Sequence, residues 1–93
     1  MKAKLLLDGT VLRSEADLHD EVFKQLELPF YGRNLDALWD VVVGMIEPPI
    51  EIKWINASES QVILGDRFPD FLSIFEDAKN EYSAGDYRFV LEM

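Results

Sequence analysis

The 93-residue chain has no cysteine, one histidine, four prolines and five glycines, and its nine lysines and arginines are outnumbered by eighteen aspartates and glutamates. Each shortage excludes something. Without cysteine there is neither a disulfide nor a thiolate metal site. No apolar run approaches membrane-spanning length, and Leu5-Leu6-Leu7 is only strand-sized. The N-terminal residues lack the apolar stretch of a secretory signal, so a cytoplasmic location is expected. The shortage of basic residues leaves a net charge of −9, which repels nucleic acid and anionic membrane and attracts basic partners. No glycine-rich phosphate loop, zinc motif or nucleophile elbow is present, so neither a cofactor nor an enzymatic activity is expected.

Hydrophobic residues make up 48% of the chain, ordinary for a protein that buries a core. This length predicts one small domain spanning residues 1–93. Residues 2–7 read as a strand closed by the Asp8-Gly9 turn pair. Ser14-Glu15-Ala16-Asp17 resembles a capping box, opening a helix whose buried stripe is Leu18, Val22, Phe23 and Leu26. Asn34 is a good N-cap for a second helix, and Gly44 can close it, although Met45 and Ile46 suggest that the pattern runs slightly past. Pro48-Pro49 precedes Ile50-Glu51-Ile52-Lys53-Trp54, an alternating strand. Residues 56–64 read as a short helix ended by Gly65. Phe68, Phe71, Leu72, Phe75 and Ala78 recur at helical spacing, with Pro69 tolerated in the first turn. A last strand runs over residues 87–91. The order β-α-α-β-α-α-β predicts an α/β fold with a three-stranded parallel sheet and about four helices. Alternating strands predict that helices cover mainly one face, giving two layers.

The stretch YGRNLDALWDVVVG, residues 31–44, has two unlike faces on a helix. Leu35, Leu38, Val42 and the following Met45 form an expected core stripe. The other side collects Asp36, Trp39, Asp40, Val43 and Gly44. From residue 34 to residue 52 there are four acids and no lysine or arginine. Asp36 has an ordinary explanation, since a carboxylate in a first helical turn is favoured by the macrodipole. Asp40 has none. It sits one turn further on, where like charges at i and i+4 cost about 0.2–0.5 kcal/mol, so a compensating cation is expected to arrive from outside. Trp39 reads either as half-buried packing or as the amphipathic centre of an interface. Gly44 reads as a helix terminator, or as a place where a partner approaches closely, and the two are compatible. His19 falls among Leu18, Val22 and Leu26 and reads as a packed neutral histidine with no site role.

A catalytic pair made of Asp36 and Asp40 is disfavoured, because two carboxylates on one exposed turn share an environment and both ionise. A divalent-cation site would need further converging oxygens that no loop motif provides. An acidic regulatory module that binds some other basic protein remains the alternative from a different class.

The run LELPFYGRNLDALWD, residues 26–40, resembles the signature of the barstar family, inhibitors of secreted, guanyl-preferring, barnase-like bacterial ribonucleases. The likeness extends to Leu18-His19, Pro49, Trp54, Phe75 and Ala78-Lys79, and so covers nearly the whole chain. It implies a three-stranded parallel sheet backed by helices, and a cytoplasmic protein, monomeric when free, that binds its ribonuclease 1:1 and protects the producing cell. It implies further that the second helix and its preceding loop plug the active site. Asp40 would mimic the RNA phosphate, Asp36 would meet another active-site arginine, and Phe30 would stack on the catalytic histidine. Tyr31, Asn34, Trp39, Val43 and Gly44 would complete the contact surface, with Asp77 of the last helix as a further interface acid. Arg33, Val43, Met45 and Asp77 depart from the family pattern, in which an acid, a hydroxyl residue, an aromatic and a glutamate stand there. These departures alter the rim of the surface and leave Asp40 in place. A cis Pro48–Pro49 bond is implied as well.

Overall fold

Alternation is the rule that builds the sheet. In the computed structural model, which describes residues 3–93, strands β1 (Ala3–Asp8), β2 (Ile50–Ile55) and β3 (Tyr87–Leu91) lie side by side in that order, all parallel. Lys2, expected to open the first strand, lies outside the described residues. The register sets Leu5 beside Ile52 beside Phe89, and Leu7 beside Trp54 beside Leu91. Leu5, Leu7, Ile50, Ile52 and Trp54 are buried, while Lys4, Leu6, Lys53 and Arg88 are exposed. Helices therefore cover one face only, as expected for two layers.

Both crossovers are helical: α1 (Glu15–Gln25) and α2 (Leu35–Asp40) join β1 to β2, and α3 (Ala57–Leu64) and α4 (Phe68–Asp77) join β2 to β3. Ser14 caps α1, its Oγ accepting from the Asp17 N–H at 3.2 Å. Asp17 reaches back one residue further than a capping box requires and accepts from the Arg13 N–H at 2.9 Å. At the other end of α1, the Gln25 side chain accepts from the Leu6 N–H and donates to the Leu6 carbonyl, both at 2.8 Å. One amide thus occupies backbone groups at the outer edge of β1. α3 begins at Ala57, since Asn56 has φ +51° and makes no side-chain cap. The Ala57 and Ser58 N–H groups donate instead to the carbonyls of Glu92 and Met93, at 3.0 and 3.2 Å.

The centre of the core is aromatic. Trp54 packs against Phe68 and Phe75 with ring centroids 5.1 and 5.9 Å apart, and its Nε1 donates to Ser60 Oγ at 3.0 Å. Phe75 in turn stacks on Phe89 of β3 at 5.5 Å. Complete burial of each such side chain is worth about 1.5–3 kcal/mol. Among the described residues no buried side-chain polar atom lacks a partner. The Pro48–Pro49 bond is cis.

Three expectations require correction. Phe23 is 38% exposed rather than part of the buried stripe of α1, because it lies a step round the helix from Leu18 and Val22. Gly44 does not terminate a helix, and the run extends past it as Met45 and Ile46 suggest: α2 continues as a π-helical turn, Val41–Met45, closed by an i to i+5 bond from the Ile46 N–H to the Val41 carbonyl at 3.2 Å. A π turn holds more residues than an α turn, so each advances less around the axis. Val41 follows Leu38 at ordinary α spacing and is buried beside it and Val42, while Met45, expected in the core stripe, comes out to 38% exposure at the far end of the π turn.

Gly9 marks the closest backbone approach. A Cβ built there would stand 1.9 Å from the Asn56 carbonyl oxygen, in a corner where the Gly9 N–H donates to Ile55 and Asn56 Nδ2 donates to Asp8. Gly9→Ala is expected to cost at least about 2 kcal/mol, the range of strained backbone sites, read as a loss of several degrees in thermal midpoint by circular dichroism.

Candidate functional site

The connector of residues 26–34, the helix α2 and the π turn that continues it hold eight of the nine candidate contact residues. Asn34 caps α2, its Oδ1 accepting from the Ala37 N–H at 2.7 Å. With the helix start set there and Leu38 wholly buried, Asp36 and Asp40 emerge on the solvent side. Among the described residues every salt bridge lies elsewhere: Lys24–Glu21, Arg33–Asp20, Arg67–Glu15, Arg67–Asp70 and Arg88–Glu51. Asp36, Asp40 and Asp77 are exposed and meet none of these cations. Trp39 and Val43 are half-buried, so each presents part of its apolar surface.

Two clefts flank the acids. Phe30, Tyr31 and Asp40 come together with Gly32, Ala37, Val41 and Met45 around a hollow of about 80 Å³. Asp36 and Trp39 meet α4, where Leu35, Asp70, Ser73 and Ile74 complete a second cleft of about 250 Å³. Asn34, Val43, Gly44 and Asp77 line neither. Asp77 is one turn along α4 from Ser73 and Ile74, which do. A roomier groove of about 440 Å³ between the end of α4 and β3 contains none of the candidate residues, and a protruding acidic helix acts by its ridge rather than by a pocket.

Phe30 is 70% exposed, an unusual position for a phenylalanine in a chain with so small a core. Its neighbour Tyr31 is anchored, its hydroxyl 2.5 Å from His19 Nδ1 with the rings tilted at 5.4 Å. Burial pushes the Tyr31 hydroxyl pKa up and the His19 pKa down, so a neutral hydroxyl and a neutral imidazole share this hydrogen bond. His19 is 4% exposed and also packs on Phe71, matching its reading as a packed histidine. Gly44 has a solvent-facing position where an added Cβ would meet nothing within 4 Å. Its φ is not among the positive values found at Gly65 and Gly85, so nothing inside the chain requires a glycine there.

Periodicity sets Met45 in the core stripe and only the family resemblance sets it at the rim; it lines the hollow beside Phe30 and Asp40, and the α4 wall of Asp70, Ser73 and Ile74 has no signal in the sequence. Periodicity could not reveal Met45, because the π turn that exposes it has no sequence signature. Among the described residues no group of three or more histidines, aspartates or glutamates converges as a metal would need. No helix of the described residues is long and apolar enough to cross a membrane.

These features define a small two-layer α/β protein with an anionic helix that no cation of the described residues pairs with. The sequence model of the family described as Barstar (barnase inhibitor) matches residues 3–93. The chain is also similar to the protein named "Putative ribonuclease inhibitor YrdF" of Bacillus subtilis (strain 168), with 32% identity over 90 residues, covering 96% of this chain and 98% of that one. The chain belongs to the barstar family.

His19 makes stability depend on pH. Burial lowers its pKa from the ordinary 6.5, so the unfolded chain binds this proton more readily than the folded one. The contribution is complete above pH 6.5 and is lost as pH falls below that value, until the folded pKa is reached. The thermal midpoint is expected to fall between pH 7 and about pH 5, before carboxylates titrate, and the His19→Leu variant is expected to flatten that slope in differential scanning calorimetry.

Proposed function

We propose that this protein, acting as one barstar-like domain of residues 1–93, inhibits a barnase-like, guanyl-preferring ribonuclease in a 1:1 complex. In this reading α2 and the connector before it enter the enzyme's active site. Family membership and the name of the Bacillus subtilis relative support the ribonuclease-inhibitor role. The observation that carries the mechanism is the pair Asp36 and Asp40, one helical turn apart, exposed and paired with no cation among the described residues.

A ribonuclease cleft is cationic because it must hold polyphosphate. A helix with carboxylates on one side is a substitute ligand whose charges already point the right way. Asp40 takes the place of the scissile phosphate among the enzyme's cationic groups, and Asp36 pairs with a second arginine. Phe30, largely uncovered in the free protein, stacks on the catalytic imidazole. Tyr31, Asn34, Trp39, Val43 and Gly44 form the surrounding contact, and Asp77 adds an acid from α4. Because α2 is held by its buried side and capped by Asn34, little ordering entropy is lost on docking. Opposite fields accelerate encounter, and the desolvated charge pairs then slow release. An inhibitor of this kind acts in the cytoplasm, before the enzyme leaves the cell, and is monomeric when free.

Titration against a panel of guanyl-preferring ribonucleases tests this. Asp40→Ala is expected to weaken inhibition by more than about 2 kcal/mol, roughly thirtyfold, chiefly through faster dissociation. Its thermal midpoint should stay that of the parent, since Asp40 joins none of the internal salt bridges. Added salt should slow association several-fold. Undiminished inhibition by Asp40→Ala would show that the assigned mechanism is wrong.

A further inference from the structure

Arg33 is the only cation between Lys24 and Lys53, and it adjoins the acidic helix at the residue before its cap. Left free, it would oppose the field of Asp36 and Asp40 at the place where a cationic partner must arrive. It is not left free. Arg33 adopts φ +56°, a left-handed conformation that L residues other than glycine seldom take. From there its Nη1 pairs with Asp20 of α1, and its guanidinium carbon lies 5.9 Å from the centroid of the Phe23 ring. Asp20 and Phe23 are three residues apart on α1, hence neighbours on its surface. Phe23, a step round α1 from the buried stripe, thus serves as a platform for a residue of the connector.

We infer that Asp20, Phe23 and Arg33 form a clasp that holds the left-handed turn before α2 and shields the Arg33 charge, so that the partner-facing side stays anionic. The clasp and the Tyr31–His19 contact are two separate ties between the connector and α1, and Phe30 projects from the segment they hold. Arg33 is thus a positioning residue whose charge is kept from the partner by a carboxylate outside the contact surface.

This rests on the ribonuclease-inhibitor reading for its kinetic arm and on the free protein for its structural arm. Association of the whole protein with a barnase-like ribonuclease is measured by stopped flow at low salt. Asp20→Asn, which unmasks Arg33, is expected to slow association about two- to fivefold. The double variant Asp20→Asn/Arg33→Gly is expected to recover the parent rate, and glycine accepts the left-handed φ without strain. Glu59→Gln on α3 removes one negative charge as well and is expected to slow association less than Asp20→Asn does. Equal effects of the two, or no recovery in the double variant, would overturn the shielding. In the free protein, hydrogen exchange of the amides of residues 30–35 is expected to quicken about tenfold in Asp20→Asn and in Arg33→Gly, with the amides of β2 unchanged. Unchanged exchange at residues 30–35 would overturn the clasp. If the parent inhibits no ribonuclease of the panel, the inhibitor reading fails, while the exchange measurement still decides the clasp.

Discussion

Leu38, Val41 and Val42 are shut inside the core, and this short seam governs where the carboxylates of Asp36 and Asp40 can point. A six-residue helix has little stability of its own in water. It persists because one side is buried and because Asn34 fixes its first turn. The Tyr82 hydroxyl adds a further hold, donating to the Val42 carbonyl at 2.5 Å from beyond α4. With the apolar side clamped, the rest of the helix has no freedom to turn its acids toward a lysine or arginine elsewhere on the surface. Orientation of charge is here a consequence of packing, and the acidic ridge is as rigid as the core beneath it.

The same seam explains what could be foreseen from the residues and what could not. Parallel β-α-α-β order, the caps at Ser14 and Asn34, and the burial of Ile50, Ile52 and Trp54 follow from local chemistry and period, so they were legible. So was the anionic side of α2, because its charges lie at i and i+4 with no cation between them. The π turn was not. Inserting an extra residue into a turn depends on how Val41 and Val42 fit against the core, a tertiary matter that leaves no mark on the period. Helical period therefore sets Met45 in the core stripe, while the burial of Leu38 and Val42 follows from the same period. Phe23 failed for a related reason: an aromatic beside a buried stripe is indistinguishable in sequence from one within it, until Arg33 is seen lying over the ring.

Arg33 and Asp20 carry the argument from packing into electrostatics. A protein with a net charge of −9 accepts some self-repulsion in its folded state. Among the described residues, its other salt bridges hold Lys24 on Glu21, Arg67 on Glu15 and Asp70, and Arg88 on Glu51, and none of these cations pairs with an acid of α2. Exposed pairs of this kind are worth about 0–1 kcal/mol each, too little to matter greatly for stability. Their effect on the surface field is larger, since each cancels a positive charge that would otherwise weaken the attraction for a cationic partner.

The balance of energies shows why such a face survives in so small a protein. Two aspartates one turn apart cost about 0.2–0.5 kcal/mol, and the left-handed conformation at Arg33 costs about 1–2 kcal/mol. Burying one valine or leucine fully is worth about 1.5–3 kcal/mol, and α2 with its π turn buries three. The packing side of the helix therefore outweighs the strain on its exposed side without help from the acids themselves. That surplus lets Asp40, Phe30 and Gly44 be free of structural duty, and leaves Asp36 only the small contribution of a carboxylate in a first helical turn. Residues free of internal partners can change their target without endangering the core. Variation among barstar-family proteins is then expected to gather at the rim, around positions 33, 43, 45 and 77, while the seam beneath them keeps its volume.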